Sequence, residues 1–191
     1  MIIGLDAGHG GRNRGACYGG LVERDLTLAV ASRAADLLAD SDIVTPYLIR
    51  EEDIALRLKE RGGIARRAGC SAVVSIHFNA SANPARYGGA LFYRRGDADG
   101  LSLGAAILNR LPERPYRKWP SDHRYKGELS HPGALLVTSA YSGPCALVEL
   151  AYLTNAKDRA WVAKQESINE LARAIRYGCE AWVRKMELDN E

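Results

Sequence analysis

Two histidines and two glutamates in this chain stand in settings that suit one metal-centred hydrolytic site. His9 follows an apolar run in Leu5-Asp6-Ala7-Gly8-His9-Gly10-Gly11, and Glu23 closes Gly20-Leu21-Val22-Glu23 where a helix is expected to begin. His77 lies in Val74-Ser75-Ile76-His77-Phe78-Asn79-Ala80, and Glu149 in Ala146-Leu147-Val148-Glu149-Leu150. Two imidazoles and a carboxylate, with a second carboxylate nearby, are the parts of a hydrolytic zinc centre, which takes three protein ligands and leaves a position for water. The metal lowers the pKa of that water to about 7. A further carboxylate can accept the proton and later deliver it to a leaving amine. If Glu149 itself coordinates, a different base is needed. Taken singly, each residue has an ordinary explanation. A histidine after a strand commonly just hydrogen-bonds its loop, and a glutamate opening a helix complements the helix dipole. Glu149 is harder to explain away, because a carboxylate inside an apolar run is rarely buried without a partner.

The elements that would position these residues alternate. Residues 2–6 read as a short buried strand, and residues 7–22, with six glycines, as a loop. Apolar spacing predicts a helix over 24–40. Residues 43–49 read as a strand that, because of Pro46, either lies at a sheet edge or starts after the proline. Asp53 is a candidate cap for a helix reaching about residue 68. A continuous apolar run over 72–76 predicts a strand buried on both faces. Residues 89–93 read as a strand, 101–111 as a helix, 134–138 and 145–150 as two more strands, and 158–186 as mostly helical. The tail after Lys185 is polar and is expected to fray. The pattern is that of a single α/β domain over residues 1–186, with a mostly parallel sheet flanked by helices and a polar tail at 187–191. Ligands in such sheets bind beyond the carboxyl ends of strands. His9 and His77 fall just after predicted strands, Glu149 ends another, and Glu23 opens the helix leaving the first loop.

Composition narrows the remaining classes. At 191 residues and 47% hydrophobic content the chain is long enough for one sizeable core. The net charge of +3 comes without a block of like charges, so nucleic acid is not demanded as a partner. Cys17, Cys70, Cys145 and Cys179 form no CxxC pair and read as free thiols, mostly buried, in a reducing compartment. Cys17 lies between His9 and Glu23 and could approach a metal. No signal peptide precedes the first strand and no stretch is long enough to cross a membrane. The expectation is synthesis in the cytoplasm, no stable membrane insertion, and a monomer. Residues 114–126 interleave Arg114, Arg117, Lys118, Arg124 and Lys126 with Tyr116, Trp119 and Tyr125. This stretch reads as a solvated loop or a groove wall, with single-stranded nucleic acid the remaining alternative. His123 and His131 read as loop residues or accessory groups, and Asn79 as a substrate contact or a buttress for His77.

The words around the four residues resemble the zinc-dependent N-acetylmuramoyl-L-alanine amidases of the Amidase_3 type. Ile3-Gly4-Leu5-Asp6-Ala7-Gly8-His9-Gly10-Gly11 is similar to the family's opening motif, and Gly20-Leu21-Val22-Glu23 to its second-ligand motif. Ser75-Ile76-His77-Phe78-Asn79-Ala80 is similar to SIHxNA, and Leu147-Val148-Glu149-Leu150-Ala151-Tyr152-Leu153-Thr154-Asn155 to LVExGFLxN. Weaker matches are Ile49-Arg50 with Asp53, and Leu56 with Arg61. Ala151 and Tyr152 stand where the family usually has Gly and Phe. The resemblance implies that His9, Glu23 and His77 hold one Zn2+ and that Glu149 is the catalytic carboxylate. It implies hydrolysis of the amide between N-acetylmuramic acid and L-alanine in peptidoglycan, on a central six-stranded mixed sheet. It suits an endolysin-like phage or prophage lysis enzyme that acts on the cell wall after release through a phage-type membrane hole, with a domain excised from a larger exported amidase as the competing expectation. No segment suggests the inserted helix that covers the zinc site in some relatives, so unregulated activity is expected. The competing expectations are a zinc peptidase cutting the stem peptide and a non-catalytic wall-binding module. Substrate-binding residues are not assigned.

Overall fold

A computed structural model describes residues 1–112 and 140–189. The expected strand at 134–138, the basic and aromatic stretch 114–126, His123 and His131 lie outside the described residues. The chain runs β1 (Ile2–Ala7), β2 (Cys17–Tyr18), β3 (Leu21–Val22), α1 (Glu23–Leu38), β4 (Thr45–Leu48), α2 (Leu58–Arg67), β5 (Ala72–Asn79), β6 (Ala90–Tyr93), α3 (Ala98–Leu108), β7 (Cys145–Tyr152), α4 (Ala156–Val162) and α5 (Gln165–Leu188). Five strands form the main sheet in the order β4-β1-β5-β7-β6, and β2 and β3 form a separate two-stranded ribbon. β4, β1, β5 and β7 are mutually parallel, and only β6 runs antiparallel, against β7. This is the expected mostly parallel α/β sheet. Five of the six expected strands fall among the described residues.

Side-chain alternation assigns each face of this sheet a different task. Ile3, Leu5 and Ala7 of β1, Val74, Ile76 and Phe78 of β5, and Ala146, Val148 and Leu150 of β7 enter one large apolar core. That core is closed by α1, α3 and α5, whose Val30, Ala34, Leu103, Ile107, Leu171 and Ile175 are fully buried. The intervening positions face the other way. There Val73 and Cys145 join Ile49, Ala65, Cys70 and Tyr141 in a smaller cluster that includes α2. The same face carries the polar members of the sheet, because Asp6, Ser75, His77 and Glu149 share the parity of Gly4, Val73 and Cys145. Register brings them side by side, with Asp6 opposite Ser75 and His77 opposite Glu149.

Several expected boundaries move. β5 runs on to Asn79, so His77 is within a strand rather than after one, and Glu149 sits in the middle of β7. Asp53 caps no helix. α2 starts at Leu58 behind Arg57, where Glu60 accepts a hydrogen bond from the Arg57 backbone N–H. Asp53 instead accepts from Gly11 N at 2.7 Å and pairs with Arg24 at 3.2 Å. α5 continues through Leu188, so the first residues of the expected tail are helical. Pro46 lies in β4, the edge strand, as its missing N–H requires. Among the described residues no helix is long and apolar enough to cross a membrane.

Candidate metal centre

Three elements converge at the carboxyl-end rim of the sheet. β1 ends at Ala7, and the chain turns out through Gly8 and His9, the latter with φ of 61°. The β2–β3 ribbon folds back so that Glu23 N donates to Ala16 O at 2.9 Å and Ala16 N donates to Glu23 Oε2 at 2.7 Å. This reciprocal pair fixes the first residue of α1 against the loop, and Glu23 is only 4% exposed. β5 presents His77 to the same spot.

Glu23 Oε1 lies 3.0 Å from His9 Nε2 and 3.0 Å from His77 Nδ1. It also accepts from Phe78 N at 3.0 Å. The two imidazoles meet edge-to-face with ring centroids 4.9 Å apart. One nitrogen of each histidine and one oxygen of Glu23 all lie within 4.8 Å of one another. Two glycines make this approach possible. A β-carbon on Gly8 would fall 2.4 Å from the His77 ring. One on Gly15, whose φ is +65°, would fall 2.5 Å from Glu23 Oε2 and 2.6 Å from the His9 ring.

The electrostatics follow from the geometry. Burial alone would raise the Glu23 carboxyl pKa, but the hydrogen bonds from His77 and His9 overcome it and hold the group well below the usual carboxylate range. Burial opposes protonation of His9, but its hydrogen bond to Glu23, the Glu23 charge and the bond to Asn13 together outweigh that, so its pKa is raised. His9 Nδ1 faces Asn13 Oδ1 at 2.9 Å. An amide oxygen can only accept, so Nδ1 carries a proton, and Nε2, which donates to Glu23 when it is protonated as well, is the nitrogen whose lone pair a metal would take.

Glu149 differs from the other three. Its Oε2 is buried without a hydrogen-bond partner among the described residues. Burial, and then the negative charge of Glu23, push its pKa up to about 8. The structure therefore places beside His77 a carboxyl group whose Oε2 has no hydrogen-bond partner among the described residues. Among the described residues the Asn79 side chain bonds not His77 but its neighbour, accepting from Ala80 N at 2.8 Å. Cys17 is exposed, its thiol donates to Gly15 O at 3.6 Å, and it is not among the donors gathered with His9, Glu23 and His77. Asn13 was not a candidate from the sequence, since a lone asparagine in a glycine-rich loop carries no signal of its orientation.

The donor set fits zinc. Borderline-soft imidazole nitrogens and one carboxylate oxygen are its ordinary partners, and three protein ligands are what an open catalytic site uses. The hydrogen bonds behind the donors, Asn13 on His9 and Ala16 N on Glu23, are of the kind that orients metal ligands.

A mostly parallel α/β sheet carries at its rim a His/Glu/His cluster that could hold a metal ion and a half-buried glutamate with one buried, unpartnered oxygen, a site suited to a hydrolase. The family model for N-acetylmuramoyl-L-alanine amidase matches residues 3–181, and the chain belongs to that family. It is 29% identical over 182 residues to the N-acetylmuramoyl-L-alanine amidase LytC of Bacillus subtilis, covering 95% of this chain and 35% of that protein. It is 25% identical over 171 residues to an endolysin of Bacillus phage SPP1, covering 90% of this chain and 62% of that protein. It thus spans about a third of one curated relative and less than two thirds of the other. The solved structure of the N-acetylmuramoyl-L-alanine amidase AmiC2 of Nostoc punctiforme superposes with a TM-score of 0.83 at 30% identity, covering 96% of this chain and 97% of that one.

Proposed function

We propose that this domain, over residues 1–186, is a zinc-dependent amidase that hydrolyses the bond between N-acetylmuramic acid and L-alanine in peptidoglycan. His9, Glu23 and His77 would hold the ion, and Glu149 would be the catalytic acid and base. The observation that carries this reading is the pairing of a three-donor cluster with a buried carboxylate oxygen that has no bond of its own. When bound, zinc supplies Lewis acidity, polarising the scissile carbonyl and lowering the pKa of water to about 7.

Glu149 does the proton transfers. Its carboxylate takes a proton as water adds to the carbonyl carbon, and returns that proton to the L-alanine nitrogen as the C–N bond breaks. A group poised near neutrality can both hold and release a proton, which a carboxyl at its ordinary pKa does poorly. Asn13 keeps His9 in the tautomer that offers Nε2, and Ala16 N keeps Glu23 Oε1 turned inward. The likeness to a phage endolysin supports a role in cell-wall lysis.

Mass spectrometry of purified peptidoglycan digested by the protein tests this. The expected products are free stem peptides beginning with L-alanine, abolished by a chelator and restored by zinc. Cleavage inside the stem would replace the reading with a peptidase, and zinc binding without any cleavage would replace it with a wall-binding module.

A further inference from the structure

Among the described residues His9 is the one non-glycine with a positive φ. A left-handed backbone at such a residue is strained and persists only where its surroundings fix it. Two buried arginines supply that fixation. Arg50 is 2% exposed and Arg61 is 3% exposed. Arg50 donates Nε to Ala7 O at 2.8 Å and Nη2 to Gly8 O at 2.9 Å. Arg61 donates Nη1 to Ala7 O at 2.7 Å and Nη2 to His9 O. Three consecutive carbonyls, ending at His9, are thus each held by a guanidinium.

Both arginines are themselves anchored. Arg61 Nη1 reaches Asp6 Oδ1 at 2.6 Å, its Nε reaches Leu56 O at 3.3 Å, and Ser75 donates to Asp6 Oδ2 at 2.8 Å. Arg50 also bonds the Glu52 and Arg24 carbonyls and Thr27 Oγ1, while Thr27 Oγ1 donates to Gly8 O. Burying two cations side by side is expensive. β1 has no need of them, because β4 and β5 already hold it on both sides. The arginines act where the ladder stops, on the turn that delivers the histidine.

We propose that Arg61, assisted by Arg50, is a positioning residue of the metal centre, holding the His9 backbone in its left-handed turn so that Nε2 meets Glu23. This rests on the zinc reading above. A lysine at 61 keeps a charge beside Asp6, but one ammonium cannot span Asp6, Ala7 and His9 as the planar fork does. Zinc affinity, by competition with a chromophoric chelator, and the thermal midpoint of the zinc-free protein should be measured for wild type, Arg61→Lys and Arg33→Lys. Arg33, which bonds Asn169 at 3.0 Å between α1 and α5, reports the loss of a guanidinium contact far from the site.

Arg61→Lys should bind zinc about 10–100-fold more weakly, the range for residues that orient metal ligands, while Arg33→Lys binds it as wild type does. Equal affinity of Arg61→Lys and wild type, or an equal loss in Arg33→Lys, would overturn the proposal. If Arg61→Lys does not fold, Arg50→Lys is read in its place, and wild-type affinity there overturns it equally. A wild-type protein that binds no zinc would instead remove the metal reading, and the proposal with it.

Discussion

Glu149 is the residue on which the proposed chemistry turns. Its Oε2 is buried without a partner and its pKa is pushed up to about 8. Glu149→Gln keeps the size and removes the proton shuttle. It should retain zinc and lose roughly 10²–10⁴-fold in turnover, the usual contribution of a positioned acid or base; near-normal turnover with zinc bound would refute the role. The same pKa has a consequence in the zinc-free protein. Unfolded, the carboxyl titrates near 4.5, and folded near 8. Below the lower value both states are protonated and nothing is lost. Between them the unfolded chain releases a proton that the folded one keeps, so stability falls as pH rises through this window. The thermal midpoint in chelator should drop between pH 5 and pH 9 by more in wild type than in Glu149→Gln, and parallel curves would sink the idea. Glu149 was legible in the sequence because it breaks an apolar run. Arg50 and Arg61 were not legible as positioning groups, because the carbonyls they hold lie as far as 43 and 54 residues away in sequence.

At the scale of elements, the period-two alternation of β1, β5 and β7 was readable and explains why Asp6, Ser75, His77 and Glu149 share a face. Strand ends were not. The apolar run of β5 stops at Ile76, whereas the ladder to β7 continues through polar His77 and Asn79. The start of α2 was misread for a related reason: Asp53 has the chemistry of a cap, but tertiary bonds to Gly11 and Arg24 claim it. Helix packing adds its own constraint. Gly178 of α5 lies so close to α3 that a β-carbon there would sit 2.6 Å from Ile107 Cα and 2.8 Å from its N. Backbone cannot yield as a side-chain tip can. Gly178→Ala gains about 1 kcal/mol in helix propensity, but separating the helices costs about 1–3 kcal/mol of packing, and contact with backbone puts this site at the upper end. Urea unfolding should show a net loss, and a more stable variant would show that α3 and α5 part easily.

The whole molecule is a sheet whose rim is completed by three segments distant in sequence: the turn after β1, the start of α1 and the end of β5. An ion bound by His9, Glu23 and His77 ties these together only when the chain is folded, so its binding energy becomes folding stability. At free zinc a hundredfold above its dissociation constant the gain is about 2.7 kcal/mol. For a chain of this size each kcal/mol moves the midpoint by about 2–4 °C, giving a rise of roughly 5–10 °C. His9→Ala removes one donor and the contact that Glu23 makes with it at 3.0 Å. That variant should keep the sheet, since His9 lies outside β1, yet lose most of the zinc-dependent rise together with its activity. Differential scanning calorimetry of both proteins across a zinc titration separates site binding from nonspecific binding. A concentration-dependent shift in wild type and a flat response in His9→Ala is the expected pair. Equal shifts in the two would mean that zinc stabilises the fold from somewhere other than this rim.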